Sequence, residues 1–329
     1  MKSSFITILV FSAMNFVISM AASVFGGILD QIALSLDITV ASAGLLNTMY
    51  LYGAAFGVPI TLIIFRKINR IRLLKVMLII SILATVALVT VKSFEALLIV
   101  RLIMGIALNS YSVLTVSLAM SLTEKERQGR AMAFLIAGGS LAMMVGIPLT
   151  RALSSILAWT DIFWILNAMM VAALIYFQFN LTNGSSNLSA LNLRNELNFL
   201  KDGKILYLLA FTMVMFLGYG SFYTYITPYL LEQYPTLEPV MSVILAAIGV
   251  ASFIGNWIGG IVSDRIGYAR SMLLGAVIHL VIIILLFVFQ SVQWATLLFA
   301  ILWVMNSWFI GLQVSTGAAQ VTENKSSFI

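Results

Sequence analysis

Ten stretches of this sequence are each apolar over about 20 residues, the length an α-helix needs to cross the hydrocarbon core of a bilayer. They run Phe5–Leu29, Ala43–Phe65, Leu73–Val91, Phe94–Met120, Ala131–Ser154, Ala158–Leu181, Ile205–Leu230, Pro239–Ser263, Ser271–Phe289 and Trp294–Ala318, and are called helix 1 to helix 10. Soluble domains are about 45–50% apolar and about 25% charged. Here the values are 61% and 9%, with a mean hydropathy of +1.06. No soluble fold hides that much apolar surface, so an all-α polytopic membrane protein is expected. Lys2 and the small residues Ala21-Ala22-Ser23 imitate a signal peptide. The apolar run continues to Leu29, and its length marks it as a span.

The net charge of +6 would suggest nucleic acid in a soluble chain. The basic residues lie in short loops instead, where they set topology. One side holds Lys2, Arg66, Lys67, Arg70, Arg72, Lys75, Lys125, Arg127, Arg130, Arg194, Lys201, Lys204, Arg265, Arg270 and Lys325, fifteen of the 18. Lys92 alone lies in the opposite loops, and Arg101 and Arg151 fall inside or at the ends of spans, so both termini are expected in the cytoplasm and the chain in the cell membrane. Nucleic acid is excluded as a partner; the lipid bilayer and a small-molecule substrate remain.

The stretch from Gly255 to Arg270 closes one apolar run with Gly259-Gly260, puts Asp264 and Arg265 at the membrane edge, and turns at Gly267. A degraded echo spans Gly53 to Lys75, where Gly57 and Pro59 lead into a basic turn with Arg66 and Arg70. The echo follows the second apolar run and the clear copy follows the eighth. A repeat after six helices in one orientation implies two parallel-related bundles, as in secondary transporters. The expected organisation is a six-helix lobe over residues 1–181, a cytoplasmic linker over 182–204 rich in Asn and Ser, and a four-helix lobe over 205–329. The sequons at Asn183 and Asn187 fall on the cytoplasmic side and are discounted. The ten-helix alternative built from an inverted five-helix repeat is rejected, because the echo comes after six.

Polar groups are costly in lipid, so their faces mark a protein interior or a cavity. Helix 1 carries Ser12, Asn15, Ser19, Ser23 and Gly26 at helical spacing, and helix 4 carries Arg101, Gly105, Asn109 and Ser112. Helix 7 offers Thr212, Tyr219 and Tyr223; helix 10 offers Asn306, Gln313, Thr316 and Gln320. Stripes of this kind also serve as helix–helix glue. Their recurrence on every third helix favours a shared cavity, with Asn15, Ser19, Asn109, Ser112, Tyr219, Tyr223, Asn306 and Gln313 as candidate substrate residues. Helices 2, 5 and 8 carry small residues four apart, Gly53 and Gly57, Gly138, Ala142 and Gly146, Gly255 and Gly259, which permit close approach. Helices 3, 6 and 9 are the most uniformly apolar and read as supports facing lipid.

Arg101 costs about 2.5–3.5 kcal/mol at mid-membrane and needs a carboxylate, carbonyls or water beside it. His279, the one histidine, reads as structural. Asp30 ends helix 1 and Asp161 opens helix 6, where a carboxylate suits the helix dipole. There is no cysteine, so disulfides and thiolate sites are absent, and no pattern of catalytic, cofactor or metal-binding residues survives inspection. An enzyme is not expected.

Gly260-Ile-Val-Ser-Asp264-Arg265-Ile-Gly267 resembles the loop signature G-x-x-x-D-R-x-G of the major facilitator superfamily, in its drug-efflux and arabinose-efflux-permease-like branch. Arg101-Leu-Ile-Met-Gly105 resembles that family's helix 4 motif, linked there to proton coupling. Gly138 through Gly146-Ile-Pro148-Leu resembles the antiporter motif of helix 5, and Tyr223 to Pro228 and Trp159 to Phe163 are similar to the same branch. The resemblance implies a two-bundle secondary transporter exporting a small organic molecule by alternating access, with Gly260, Asp264, Arg265, Gly267, Arg66 and Arg70 in its gating loops. It also implies that the loop of Asp264 lies against the start of helix 5, near Gly129-Arg130-Ala131. The first loop has Thr61 and Phe65 where the motif has Gly and Asp. Ala22 stands where many relatives carry an acid, which leaves coupling through that site open. Helices 11 and 12 do not follow in this sequence, and an eleventh helix is expected to pack against helix 2 at Gly53 and Gly57. Its last residues, Gln320 to Ile329, read as a connector into a further run, so a ten-helix piece that does not transport alone is expected, and a monomer once complete. The alternative is a non-transporting remnant with a regulatory or assembly role.

Overall fold

Short polar caps decide where the spans begin. Thr39 accepts from the Ser42 amide (3.1 Å) ahead of helix 2, Asn69 from Ile71 (2.9 Å) ahead of helix 3, and Ser93 from Ala96 (3.4 Å) ahead of helix 4. Asp161 turns back onto the Ala158 amide (3.0 Å) at the start of helix 6. Inside the spans, several hydroxyls bond one turn back, as Ser81 to the Met77 carbonyl and Thr115 to that of Tyr111.

The structure, a computed structural model, describes residues 2–124, 127–181 and 203–326. Ten helices are long and apolar enough to cross a membrane. Helix 1 is Lys2–Ser35, helix 2 Val40–Ile64, helix 3 Arg70–Thr90, helix 4 Phe94–Leu122 and helix 6 Trp159–Asn180. Helix 5 joins Gln128–Leu141, a π-turn at Ala142–Gly146 and Ile147–Leu153. Helices 7 to 10 are Gly203–Gln233, Met241–Ile266, Tyr268–Val288 and Gln293–Ser326. The chain forms two compact units, Met1–Leu191 and Asn192–Ile329. The expected linker up to residue 202, its sequons, and the basic residues Lys125, Arg194 and Lys201 lie outside the described residues, and helix 7 takes up residues 203 and 204.

Two expectations about the helices are corrected. Asp30 does not end helix 1: the helix continues to Ser35 through a non-helical Ile28 (φ −133°, ψ 25°). Helix 3 packs between helices 4 and 6, burying Leu74, Leu78 and Leu88, and keeps an exposed apolar face at Val76, Ile79 and Leu83, whereas helix 7 is the least covered span. Gly53 and Gly57 do not await a helix from elsewhere. A β-carbon on Gly53 would sit 2.1 Å from the Leu102 carbonyl oxygen, and one on Gly57 2.2 Å from Ile106, so both are spent on helix 4 of their own unit.

Helix 2 contains a π-turn at Gly53–Gly57 followed by Val58-Pro59; helix 5 repeats it at Ala142–Gly146 followed by Ile147-Pro148. The offset is constant, 142 − 53 and 148 − 59 both giving 89. Proline cannot donate the hydrogen bond of a regular turn, and the extra residue of a π-turn absorbs the mismatch. Consecutive spans alternate in direction, so helices 2 and 5 run oppositely and the device is an inverted repeat within the first unit. The second unit repeats the glycine contact. Gly53 meets Leu102 on helix 4, and Gly255, 202 residues on (255 − 53), meets Met305 on helix 10 with a would-be β-carbon 1.9 Å from its carbonyl oxygen.

Gly267 turns the chain between helices 8 and 9 at φ +80° and ψ 156°, a region open essentially to glycine alone. Its carbonyl accepts from the Ser271 amide (3.1 Å) and hydroxyl (2.8 Å). Gly267→Ala is expected to cost about 1–3 kcal/mol, read as a lower unfolding temperature in detergent. An unchanged temperature would show that the turn relaxes freely.

Candidate functional site

Arg101 is fully buried in the first unit. Its Nε donates to the Leu46 carbonyl (3.2 Å) and one Nη to the Ala21 carbonyl (3.2 Å), and the guanidinium lies over the rings of Phe25 (4.0 Å) and Tyr50 (4.6 Å). The second Nη has no partner. A desolvated cation–π contact contributes about 2 kcal/mol, so two of them offset the insertion cost of about 2.5–3.5 kcal/mol. The charge is held inside the unit by carbonyls and rings. Gly105, one turn on, is needed because a β-carbon there would lie 2.0 Å from the Tyr50 carbonyl oxygen.

Most other stripe residues of this unit bind its helices to one another. Asn15 donates to the Leu135 carbonyl (3.3 Å) and accepts from Ser112 (3.4 Å), linking helices 1, 5 and 4. Asn109 donates to the Tyr50 hydroxyl (3.0 Å) and to the Gly105 carbonyl (2.9 Å). Ser19 faces Gly139, and on helix 5 Gly138 meets the Ser12 carbonyl and Gly146 the Met20 thioether. Pro148, buried, follows the π-turn. Arg70 donates to the Ser117 hydroxyl, and Arg66 is exposed in the turn after helix 2. A cavity of about 740 Å³ opens near the start of helix 1, lined by Phe5, Phe134, Glu124, Arg127 and Arg130 among others.

In the second unit, Tyr219 stacks on Tyr223 (5.1 Å, 17°) and on Trp303 (5.6 Å, 7°), and accepts from the Trp308 indole (3.2 Å). Asn306 is buried, donating to the Gly275 carbonyl (2.9 Å) beside His279 (3.3 Å). Gln313 donates to the Gly259 carbonyl (2.9 Å), and its amide oxygen is buried without a partner. Gly260 has open space on its side-chain face apart from Leu312 at 3.8 Å, and Asp264 and Arg265 are exposed at the end of helix 8. Among the described residues no His, Asp or Glu cluster could hold a metal ion.

Two features escaped sequence reasoning. Trp303 and Trp308 read as ordinary apolar positions, although they complete the stack of Tyr219. Arg151, noticed only as an arginine at a span end, is buried and paired with Asp30 (2.8 Å). The signal was present: an arginine at the end of a span needs a carboxylate, carbonyls or water beside it, and Asp30 ends an apolar run on the same side of the membrane.

The family model of the Major Facilitator Superfamily matches residues 11–327. The chain belongs to the Major Facilitator Superfamily. Relatives include the "Uncharacterized MFS-type transporter YbcL" of Bacillus subtilis, 27% identical over 306 residues that cover 92% of this chain and 78% of that one. Another is a Helicobacter pylori protein named "Probable sugar efflux transporter", 24% identical over 326 residues, 97% of this chain and 81% of that one. Among solved structures, a bacterial homolog of the human lysosomal transporter Spinster superposes with a TM-score of 0.72 at 18% identity, over 95% of this chain and 75% of that one. The nucleoside transporter NupG superposes with 0.74 at 15%, over 94% and 81%. This superfamily protein is therefore a secondary transporter of small molecules with the family fold, and family membership places it outside the enzymes.

Proposed function

We propose that this superfamily member exports small sugars or related polyols across the cell membrane by alternating access, in exchange for protons, with both termini cytoplasmic. The orientation rests on the fifteen basic residues that share one side. Efflux of a sugar is what the Helicobacter pylori relative's name states of that protein. The observation that carries the substrate class is the stack of Tyr219, Tyr223 and Trp303, with the Trp308 indole at its rim. Flat aromatic surface suits the C–H face of a sugar ring, and hydroxyl and indole groups at its edge suit the ring's own hydroxyls. In this reading Asn15, Ser19, Asn109 and Ser112 line the route in the first unit, and Asn306 and Gln313 hold helix 10 in place behind the stack. The loops of Gly260 to Gly267 and of Arg66 and Arg70 gate it. Arg101 with Gly105 carries the buried charge on which coupling acts, and Gly138, Gly146 and Pro148 let helix 5 bend.

Because Trp303 belongs to the stack and Trp308 meets Tyr219 edge-on, binding has an optical readout. Titrating the purified protein with monosaccharides and disaccharides is expected to give a saturable change in tryptophan fluorescence. In Tyr219→Ala the affinity falls about tenfold, matching the roughly 0.5–1.5 kcal/mol of an aromatic contact. A flat response to every sugar, with the protein folded, contradicts the substrate assignment.

A further inference from the structure

We propose that the cavity between the start of helix 1, the end of helix 4 and the start of helix 5 binds an anionic phospholipid. Its phosphate sits on Arg127 and Arg130, and an acyl chain follows Phe5 and Phe134. The inference goes beyond the transport reading above and takes from it only the orientation, which puts this end of the unit in the cytoplasmic leaflet. The cavity holds about 740 Å³, within the roughly 300–1,000 Å³ of small-molecule sites.

Its lining changes character with depth. Arg127 and Arg130 stand at the rim, where helix 5 begins. Phe134 follows one turn further into the span, and on helix 1 Ile8 lies one turn deeper than Phe5. Ile8 and Ala131 are buried and form the floor, while Phe5, Leu122 and Phe134 stay exposed. Phe5 and Phe134 meet edge to face (5.9 Å, 82°), which joins the apolar walls of helices 1 and 5. An apolar wall ending in two guanidinium groups fits a molecule that is apolar along its length and anionic at its head. A sugar has no such tail, which separates this cavity from the aromatic stack of the second unit.

The charge at the rim favours an anion. From Glu124 to Arg130 the sequence carries Lys125, Arg127 and Arg130 against Glu124 and Glu126. The Arg127 Nε lies 3.6 Å from the Glu124 carboxylate, and the two side chains are 57% and 66% exposed. So exposed a pair contributes little, and its arginine can turn to a phosphate instead. Arg130, one turn on, is exposed and in no ion pair among the described residues. The frame behind the rim is fixed. The Gln128 amide donates to the Met120 (2.9 Å) and Thr123 (3.4 Å) carbonyls, and the Thr123 hydroxyl to that of Ala119 (2.7 Å). Helix 4 and helix 5 are thereby tied together where the phosphate would sit. Basic pockets between spans on the cytoplasmic side are where anionic headgroups settle.

Thermal unfolding of the purified chain in neutral detergent, with no sugar present, tests the site. The ligands are dioctanoyl phosphatidylglycerol, dioctanoyl phosphatidylcholine and inorganic phosphate. Phosphatidylglycerol is expected to raise the unfolding temperature saturably, and the other two to leave it unchanged. The double variant Arg127→Gln, Arg130→Gln should bind it about thirtyfold more weakly, the scale of two juxtamembrane basic contacts. Phe5→Ala with Phe134→Ala should weaken it too, because the chain loses its wall. Lys67→Gln with Arg72→Gln removes equal charge from exposed positions on the same side and should bind as the parent does. No response to phosphatidylglycerol, an equal response to phosphatidylcholine, or a response to phosphate that matches the lipid's overturns the proposal. So does an equal loss in the two charge variants, which would reduce the effect to general surface charge. The sugar titration uses no lipid and this one no sugar, so either can fail while the other stands.

Discussion

Gly53→Ala and Gly255→Ala should each lower the unfolding temperature by roughly 6–12 °C, while Gly218→Ala should leave it unchanged or raise it. At Gly53 the new methyl would lie 2.1 Å from the Leu102 carbonyl oxygen, and at Gly255 1.9 Å from that of Met305. Backbone cannot rotate away as a side chain can, so helix 2 must leave helix 4, and helix 8 must leave helix 10. Overpacking of this kind costs about 1–3 kcal/mol, and these contacts belong at the upper end. A unit of this size loses about 2–4 °C per kcal/mol. A β-carbon at Gly218 meets nothing within 4 Å, and alanine is the better helix former. Thermal unfolding followed by size-exclusion chromatography separates the cases. Equal temperatures for all three would mean that the paired glycine contacts contribute nothing to the fold.

The second large effect is expected at Arg101, and it separates folding from function. Arg101→Met removes a charge that costs about 2.5–3.5 kcal/mol to bury, along with the two ring contacts that offset it. Replacing a buried charge by an apolar side chain of similar length is often neutral or stabilising. Expression and unfolding temperature should therefore stay close to the parent's. Transport should fall about tenfold or more, a loss of at least about 1.4 kcal/mol in the transition state. Arg101→Lys should also fail, because a lysine cannot span both carbonyls while lying flat between Phe25 and Tyr50. Full transport by Arg101→Met would reduce this arginine to packing.

The fold was legible because lipid imposes two rules that sequence obeys openly: spans are apolar for a fixed length, and basic residues gather on one side. Small residues four apart on helices 2 and 8 likewise announced close packing, and Gly53 and Gly255 do meet carbonyls. What sequence could not give was the partner. Period alone says that Asn15 and Asn109 share faces with other polar groups; it does not say that Leu135 and Tyr50 receive their hydrogen bonds. The same limit explains why Gly53 was assigned to the wrong neighbour. The π-turns were hidden for another reason. Gly-x-Pro inside an apolar run reads as a kink, and only backbone coordinates show that the extra residue is absorbed in the same register in helices 2 and 5. The Asp30–Arg151 pair went unread because helix 1 was ended too early: Asp30 looked like a terminus, and a terminal carboxylate needs no partner.

Export of a sugar can be measured as uptake into inside-out membrane vesicles prepared from cells expressing the gene, with the vesicle lumen acidified. Radiolabelled pentoses, hexoses and disaccharides are supplied outside. At least one sugar is expected to accumulate above vesicles lacking the protein, and accumulation should collapse when a protonophore equalises the pH. Uptake of every sugar at the level of the empty vesicles, with the protein present and folded, contradicts the assignment of this superfamily member as a proton-driven sugar exporter.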